Sequence, residues 1–229
     1  MVIERGKAGG IQIDTGSGPG TITHNVISDT NADGIHMTNG AHSILVEGNR
    51  TLRVGDDGVA VVSPRSGKIV WGIVARNNVI RDSTHGRGIS VVGGRGVLYE
   101  NNTIENIVGG GACVYIAQEE SYATFGSHAV LVRRNTMRNC PQNDSAGHGS
   151  IMVFSDGYEP NSDLVFSRNL IVNDGPGQSN VLGVRMYGDN VNVQFLGNLI
   201  SGPRQMQIDT PGVTVAPFVT SLPVGDPGR

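Results

Sequence analysis

The sequence contains few aromatic and few charged side chains, which make up 5% and 16% of its residues. It has no long apolar run and no apolar residues at helical spacing over three turns, so neither a membrane helix nor a helical bundle is expected. Its 17 Lys and Arg residues are scattered, and its net charge is −3. This charge pattern argues against nucleic acid as a partner.

Cysteine is scarce, since only Cys113 and Cys140 are present. The sequence leaves open whether they form a disulfide or remain two buried thiols. The N-terminal residues, MVIERGKAGGIQID, contain no apolar segment followed by a cleavage site. A secretion signal is therefore expected to be absent or to have been removed with an upstream segment.

The sequence is instead rich in Gly, with 34 residues, and in Val, Ile and Asn. Short apolar runs recur along it, such as VAVV at 59–62, ISVV at 89–92 and VLVRR at 130–134. This combination is typical of short strands joined by tight turns. We therefore predict a single, almost entirely β domain.

An internal repeat organises these strands, and its marker is an Asn followed by apolar residues. The markers are Asn25, Asn49, Asn78, Asn102, Asn135, Asn169 and Asn198. They lie 24, 29, 24, 33, 34 and 29 residues apart, so a unit of about 24 residues is lengthened by insertions. Each unit also has a Gly before an alternating strand, as in DGIHM at 33–37 and DGVAV at 57–61. Two strands per unit are thus predicted.

Units this short cannot bury an apolar face alone, so they must stack on one another. Inward-facing residues are then expected at Ile35, Met37, Val59 and Val61, and the Asn markers should form a hydrogen-bonded ladder at the turns. The prediction is an all-β, single-stranded, right-handed parallel β-helix of about seven coils over residues 1–209. A Pro- and Gly-rich tail over 210–229 is expected to leave the stack.

Three aspartates depart from the logic of the repeat. Asp33 and Asp57 each stand immediately before the Gly of their coils, one unit apart, and Asp56 is adjacent to Asp57. Stacked like charges disfavour folding because each anion raises the proton affinity of the other. A polar turn or a calcium site is the structural alternative for an isolated GDDG, but the register with Asp33 favours a catalytic group.

Hydrolysis of a glycosidic bond requires such paired carboxylates, one to protonate the leaving oxygen and one to activate water or attack carbon. The segment NADGIHMTNGAHSILVEGNRTLRVGDDGVAVVS at 31–63 resembles the catalytic segment of pectin-lyase-fold glycoside hydrolases. It is most similar to bacterial α-1,3-glucanases and mycodextranases, in which a coil like GRGISVVGGRGVLYENNTI at 86–104 follows. Polygalacturonases, with an NTD, a paired DD and a GHG, are more distantly similar. The resemblance is dense over 21–108.

This resemblance implies a secreted glycoside hydrolase that cleaves a polysaccharide with inversion at the anomeric carbon. It implies Asp33, Asp56 and Asp57 as the acid and base group. By analogy with polygalacturonases, Asp56 is the general acid, and Asp33 and Asp57 hold the water. No cofactor or metal is expected.

Two departures from the polygalacturonase pattern point to a neutral α-glucan as the substrate. Arg87 stands where that family has His before the Gly, with His85 two places earlier, and the RIK motif is missing unless Arg185 is its counterpart. Arg87 is expected on the same ladder as Asp33 and Asp57, where it pairs with Asp57 or binds sugar hydroxyls. His85 either orients a carboxylate or substrate or is merely exposed.

Two insertions after the catalytic coils are expected to build the walls of a cleft. AQEESYATFGSH at 117–128 contains Glu119, Glu120, Tyr122 and Phe125, and NCPQNDSAGHG at 139–149 contains Asp144 and His148. Aromatic rings stack on sugars, so Tyr122, Tyr158 and Trp71 are candidate subsite walls, with simple packing as the alternative for each.

Other functions remain open on this fold, namely a polygalacturonase-like hydrolase, a polysaccharide lyase or epimerase, and a non-catalytic carbohydrate-binding β-helix. The related catalytic domains have several coils upstream of the first Asp, so upstream coils are expected to be missing here. An uncapped edge near Ile11 and Ile13 would then cause self-association or instability.

Overall fold

The structure is a computed structural model that describes residues 1–109, 111–142, 147–202 and 204–216. In these ranges, 24 short strands form three parallel sheets of eight strands each. A 3₁₀ helix, Gln178–Asn180, is the sole helical element there, and no helix of the described chain is long and apolar enough to cross a membrane. The predicted parallel β-helix is confirmed.

Each coil contributes one strand to each sheet. Sheet 1 stacks β1 (Val2–Glu4), β4 (Val26–Ser28), β7 (Arg50–Leu52), β10 (Val79–Arg81), β13 (Thr103–Glu105), β16 (Thr136–Arg138), β19 (Leu170–Val172) and β22 (Leu199–Ser201). Sheet 2 stacks β2 (Ile11–Ile13), β5 (Ile35–Thr38), β8 (Val59–Val62), β11 (Ile89–Val92), β14 (Val114–Gln118), β17 (Ile151–Ser155), β20 (Leu182–Gly188) and β23 (Arg204–Ile208). Sheet 3 stacks β3 (Gly20–Thr23), β6 (Ile44–Glu47), β9 (Val70–Arg76), β12 (Gly94–Glu100), β15 (His128–Arg133), β18 (Asn161–Ser167), β21 (Asn190–Leu196) and β24 (Thr214–Ala216).

The described chain therefore forms eight coils of three strands, where the sequence predicted about seven coils of two visible strands. The strand that the sequence does not separate lies in sheet 3 and leads directly into sheet 1. The corner between them is only two residues long, a residue with positive φ followed by the marker Asn, as at Asn77 and Asn78. No Gly- or Pro-rich segment marks this corner, so the sequence pattern does not separate the sheet 3 strand from the sheet 1 strand that follows it.

The core is a single column of aliphatic side chains inside the coils. The predicted inward pairs of β5 and β8 are fully buried, and Ile35 and Met37 lie in register with Val59 and Val61. Stacking of this kind also joins the rings of Phe166 and Phe195, whose centroids are 4.7 Å apart. Each coil is thus stabilised mainly by its neighbours, as the repeat predicted.

The marker asparagines form the predicted ladder along the corner between sheets 3 and 1. Asn49, for example, accepts a hydrogen bond from the side chain of Asn25 at 2.9 Å and donates one to Asn78 at 3.1 Å. The same bonds continue to the last marker at 2.8 to 3.1 Å. Because the amide of every marker after Asn25 also accepts a backbone N–H of the preceding coil, the corner leaves these buried polar groups paired.

The stack extends past the predicted boundary at Asp209. Strand β24 pairs in parallel with β21 and completes the eighth coil. The rest of the predicted tail, residues 217–229, lies outside the described residues.

The two cysteines form a disulfide between Cys113, which precedes β14, and Cys140, which follows β16. The bond closes a segment of 27 residues across two neighbouring coils. It settles the alternative that the sequence left open.

Reduction of this disulfide is expected to lower the melting temperature. Closing a loop of this length contributes about 3–4 kcal/mol, which for a chain of this size corresponds to roughly 7–14 °C. Thermal melts with and without a reductant measure the effect. The Cys113→Ser/Cys140→Ser double variant should have the melting temperature of the reduced protein, and addition of the reductant should not change it. Equal melting of the oxidised and reduced protein contradicts a stabilising bond.

Candidate active site

The candidate site lies at the turns that lead from sheet 1 into sheet 2. Backbone N–H groups of Gly34 and Gly58 donate to the carbonyls of Asp57 and Arg87, so these turns stack in register. Asp33, Asp57 and Arg87 therefore occupy successive positions of one ladder, as the sequence predicted.

The three carboxylates converge, and their nearest oxygens all lie within 4.8 Å of one another. Asp56 is exposed, Asp33 is 14% exposed at its side chain, and Asp57 is 4% exposed overall. Asp57 accepts hydrogen bonds at both oxygens, from the Arg87 backbone N–H at 2.7 Å and from the Ser90 hydroxyl at 2.5 Å. Only Asp56 thus presents its carboxylate openly to solvent.

Asp33 is oriented at both of its carboxylate oxygens. One accepts the backbone N–H of Asp57 at 2.8 Å, and the other lies 2.5 Å from Nδ1 of His36. Burial lowers the pKa of His36, but the hydrogen bond and the charge of Asp33, with the charges of Asp57 and Asp56, outweigh it, so the net shift is upward. The pair is held together by a charge-assisted contact.

The proton affinity of the adjacent carboxyls is increased. Burial raises the pKa of Asp57 to about 6; the charge of Arg87 opposes this shift, while those of Asp33 and Asp56 support it. Burial, and then the charge of Asp33, raises the pKa of Asp56 as well. Neighbouring carboxylates that cannot both ionise share a proton, so this pair can act as an acid near neutral pH.

The Arg87 side chain lies beside Asp57 and is held there by Glu119 and Tyr115. Its guanidinium donates to Glu119 at 3.0 Å, lies 3.8 Å from Asp57, and packs 3.9 Å from the ring centre of Tyr115. The Tyr115 hydroxyl donates to Glu119 at 2.6 Å. The pKa of Arg87 is raised because the nearby anions outweigh its burial, so this cation is permanently charged.

Four side chains at this site were not proposed as site residues from the sequence, namely His36, Ser90, Tyr115 and Glu119. The first three lie on one outward-facing row of sheet 2. The strand register pairs His36 with Ala60, Ala60 with Ser90, and Ser90 with Tyr115. The signal for them was present, because the outward position of each strand after a catalytic turn faces the cleft. Glu119 was named only as part of the insertion at 117–128, which was expected to build a cleft wall, and its contact with Arg87 has no local sequence signal.

The cleft above the carboxylates consists of two adjoining depressions of about 310 and 450 Å³, which share Asp56, Arg87 and Tyr122 in their walls. The smaller depression also contains Asp33, His36 and Asp57, and the larger one also contains His85 and His148. The predicted candidates His85 and Tyr122 are thus at the site. Both are exposed, which leaves them able to contact a ligand.

The insertion at 117–128 forms one wall because it packs against the loop after β8. Thr124 forms a bridge with Pro64, and the Arg65 side chain binds Glu120 at 2.7 Å. This anchoring holds the insertion beside the cleft, where Tyr122 lines both depressions.

Other candidates lie elsewhere. Arg185 is three coils along sheet 2 from Ser90, where it pairs with Asp209, so it does not join the acidic cluster. Trp71 lies in sheet 3 and stacks on His42, with ring centroids 4.9 Å apart. The ring of Tyr158 is covered by the guanidinium of Arg65 at 3.7 Å. Asp144 lies outside the described residues.

The sequence profile of the right-handed β-helix region matches residues 2–125, more than half of the chain. The chain belongs to the right-handed β-helix family. Among curated proteins none matches the sequence significantly.

Two solved structures are similar to this chain in fold. One is the catalytic domain of a GH87 α-1,3-glucanase in complex with tetrasaccharides, with a TM-score of 0.64 and 17% identity over 90% of this chain. The other is PfbA, a surface adhesin of Streptococcus pneumoniae, with a TM-score of 0.61 and 12% identity over 96% of this chain. The chain spans 45% of the glucanase domain and 66% of the adhesin. At these identities the similarity concerns the fold alone.

Proposed function

We propose that this β-helix is a glycoside hydrolase that cleaves a polysaccharide outside the cell, with a neutral α-glucan as its substrate. The observation that carries the proposal is the convergence of the three carboxylates in an open cleft, together with the raised pKa values of Asp56 and Asp57. An acid and an ionised carboxylate flanking one bond are what glycoside hydrolysis requires. The fold similarity to a glucanase catalytic domain is consistent with this chemistry.

In the proposed mechanism, the Asp56–Asp57 pair holds one proton, and Asp56 delivers it to the glycosidic oxygen. The exposure of Asp56 supports this role, because the oxygens of Asp57 are already engaged by Arg87 and Ser90. Asp33 accepts the proton of the attacking water, and His36 fixes the orientation of its carboxylate. Asp57, whose own pKa is raised by burial, is the hydrogen-bonded partner of Asp56 and does not contact the sugar.

The surroundings of Arg87 favour a neutral sugar over a uronate. Its guanidinium is already neutralised by Glu119 and Asp57 and covered on one face by Tyr115. Recognition of a sugar carboxylate requires a cation with free hydrogen-bond donors. Tyr122 and His85 are the side chains proposed to contact the sugar hydroxyls and ring faces.

A substrate screen tests the proposal. Release of reducing ends is measured from α-1,3-glucan, a mixed α-glucan and polygalacturonate, each with and without EDTA. We expect release from an α-glucan that EDTA leaves unchanged. Release from polygalacturonate that EDTA abolishes would favour a calcium-dependent lyase or related enzyme, and binding of an α-glucan without release from any of the polymers would favour a carbohydrate-binding module.

A sharper prediction concerns the stereochemistry of the product: we expect its anomeric configuration to be inverted relative to that of the substrate. The nearest carboxylate oxygens are close enough for a retaining pair, for which about 5–5.5 Å is usual. However, each oxygen of Asp33 and of Asp57 already has one hydrogen-bond partner, which a covalent bond to the anomeric carbon would displace, whereas its second lone pair can still accept a hydrogen bond from water. Water is therefore the expected nucleophile. Proton NMR of freshly released product decides, and a first-formed anomer with the configuration of the substrate contradicts these roles.

A further inference from the structure

A second charged feature lies on the corner between sheets 3 and 1, away from the acidic cleft. The last residue of each strand of sheet 3 lies on one outward-facing row of side chains. In the early coils, the guanidinium on this row is paired with a carboxylate, as Arg76 is with Glu47 at 2.8 Å. Glu100 then serves two guanidiniums, those of Arg133 at 2.8 Å and Arg134 at 3.2 Å. The next two positions of this row are Ser167 and Leu196, so no further carboxylate follows on it.

Positive charge is consequently in excess at this end of the corner. Arg168, one coil beyond Arg134, has neither an ion pair nor a side-chain hydrogen bond with any described residue. Arg133, Arg134 and Arg168 face a depression of about 520 Å³ that Ser167, Leu196 and Gly197 complete. Three guanidiniums and one nearby carboxylate leave this depression with a net charge of about +2.

The arginines occupy positions that the turn itself does not require. The residue before each marker Asn has positive φ, and the two preceding coils have Asn77 and Asn101 there, a residue type that tolerates this conformation. Arg134 and Arg168 replace Asn in the next two coils. Arg53, which also has positive φ, is explained by its two hydrogen bonds to Asp29, whereas no such partner accounts for Arg168.

We propose that this depression is a binding site for an oxyanion group, a carboxylate or a sulfate, carried on a carbohydrate polymer. The planar guanidinium donates two parallel hydrogen bonds to such groups, and two arginines on adjacent coils are spaced about 4.8 Å apart along the axis. This spacing lets both side chains contact one sugar ring or two successive ones. Leu196 supplies an apolar floor, and a Cβ placed at Gly197 would meet no atom of the described residues within 4 Å.

A carbohydrate polymer fits better than nucleic acid. Nucleic-acid binding relies on many phosphate contacts over a long basic surface, whereas the excess charge here comes from three residues in one depression.

Affinity electrophoresis tests the site, with gels that contain polygalacturonate, dextran sulfate, neutral dextran or duplex DNA. The wild type should be retarded by polygalacturonate, dextran sulfate or both, and the polymer that retards it identifies the oxyanion. The Arg134→Gln/Arg168→Gln variant should lose at least about tenfold in affinity because charge-assisted hydrogen bonds are removed. Both side chains are exposed, so circular dichroism should remain that of the wild type.

Two controls separate this site from general charge and from the acidic cleft. Arg53→Gln/Arg138→Gln removes the same two charges on other parts of the surface and should keep the wild-type retardation. Asp56→Asn, in the cleft, should keep it too. The proposal is overturned if the wild type is not retarded by either anionic polymer, if neutral dextran or DNA retards it equally, or if the two double variants lose affinity equally.

Discussion

Replacement of Asp56 by Asn is expected to lower kcat on the α-glucan that the screen identifies by about 10²–10⁴-fold, the usual contribution of a general acid. The amide has the shape of the carboxyl, but it supplies no proton to the leaving oxygen. KM should change little, because the side chain is exposed and contributes mainly in the transition state. Initial rates over a range of substrate concentrations measure both parameters.

Asp82→Asn is the matched control for this variant. Asp82 is also a turn aspartate, one coil away, but it lies outside both depressions of the cleft. Its substitution should leave kcat within about twofold, since surface changes away from a site have small effects.

A substrate with an activated leaving group, such as a dinitrophenyl glycoside of the same sugar, should restore much of the rate of Asp56→Asn, because it needs no protonation. Wild-type activity in Asp56→Asn would remove Asp56 as the acid. Wild-type activity in the Asp33→Asn and Asp57→Asn variants as well would mean that the catalytic groups lie outside this cluster, whereas absence of reducing-end release by the wild type would leave a carbohydrate-binding protein as the better explanation.

The sequence predicted those aspects of the fold that each coil repeats locally. The marker Asn and the Gly before sheet 2 recur because the same corner and the same close backbone approach are built in each coil. At Gly34, for example, a Cβ would lie 2.6 Å from the carbonyl oxygen of Gly58. Sheet 3 was missed because its corner into sheet 1 is made by a residue with positive φ and the Asn itself. That conformation has no distinctive residue type, since His24, Gly48 and Arg134 all adopt it.

The site was predictable where it follows from register and not where it follows from packing. Asp33, Asp57 and Arg87 were placed on one ladder because the repeat fixes their spacing. Glu119 reaches Arg87 only because the insertion is anchored to the loop after β8, a tertiary effect. Arg185 was proposed from a motif analogy, yet the repeat itself assigns it to a coil distant from the carboxylates.

Replacement of Asp57 by Asn is expected to increase stability above pH 6 while it lowers activity. A carboxyl whose pKa is raised in the folded state contributes fully to stability below its unfolded value, near 3.9, and this contribution is lost as pH rises through the folded value. For Asp57 that window extends from about pH 4 to above pH 6. Ionisation of the buried group then disfavours folding by about 3 kcal/mol. The neutral amide removes this effect.

The melting temperature of Asp57→Asn should therefore equal that of the wild type near pH 4 and exceed it by roughly 5–10 °C at pH 8. The amide keeps the local contacts, because its oxygen accepts the Arg87 N–H and its nitrogen donates to the Ser90 hydroxyl oxygen. Differential scanning calorimetry from pH 4 to pH 8 measures the divergence. Parallel curves at all pH values would mean that Asp57 ionises normally in the folded protein.

Ser90→Ala provides the converse arm of the same experiment. It removes the hydroxyl that donates to the ionised Asp57, so it should lower the melting temperature at pH 8 more than at pH 4. In the Asp57→Asn background this pH dependence should vanish, because the charge that Ser90 stabilises is gone.

Activity should nevertheless fall by at least about 10²-fold in Asp57→Asn, since Asp56 then loses the neighbour that shares its proton. Greater stability with lower activity is expected only where carboxylates are held together for catalysis, whereas loss of both in Asp57→Asn would assign Asp57 a purely structural role.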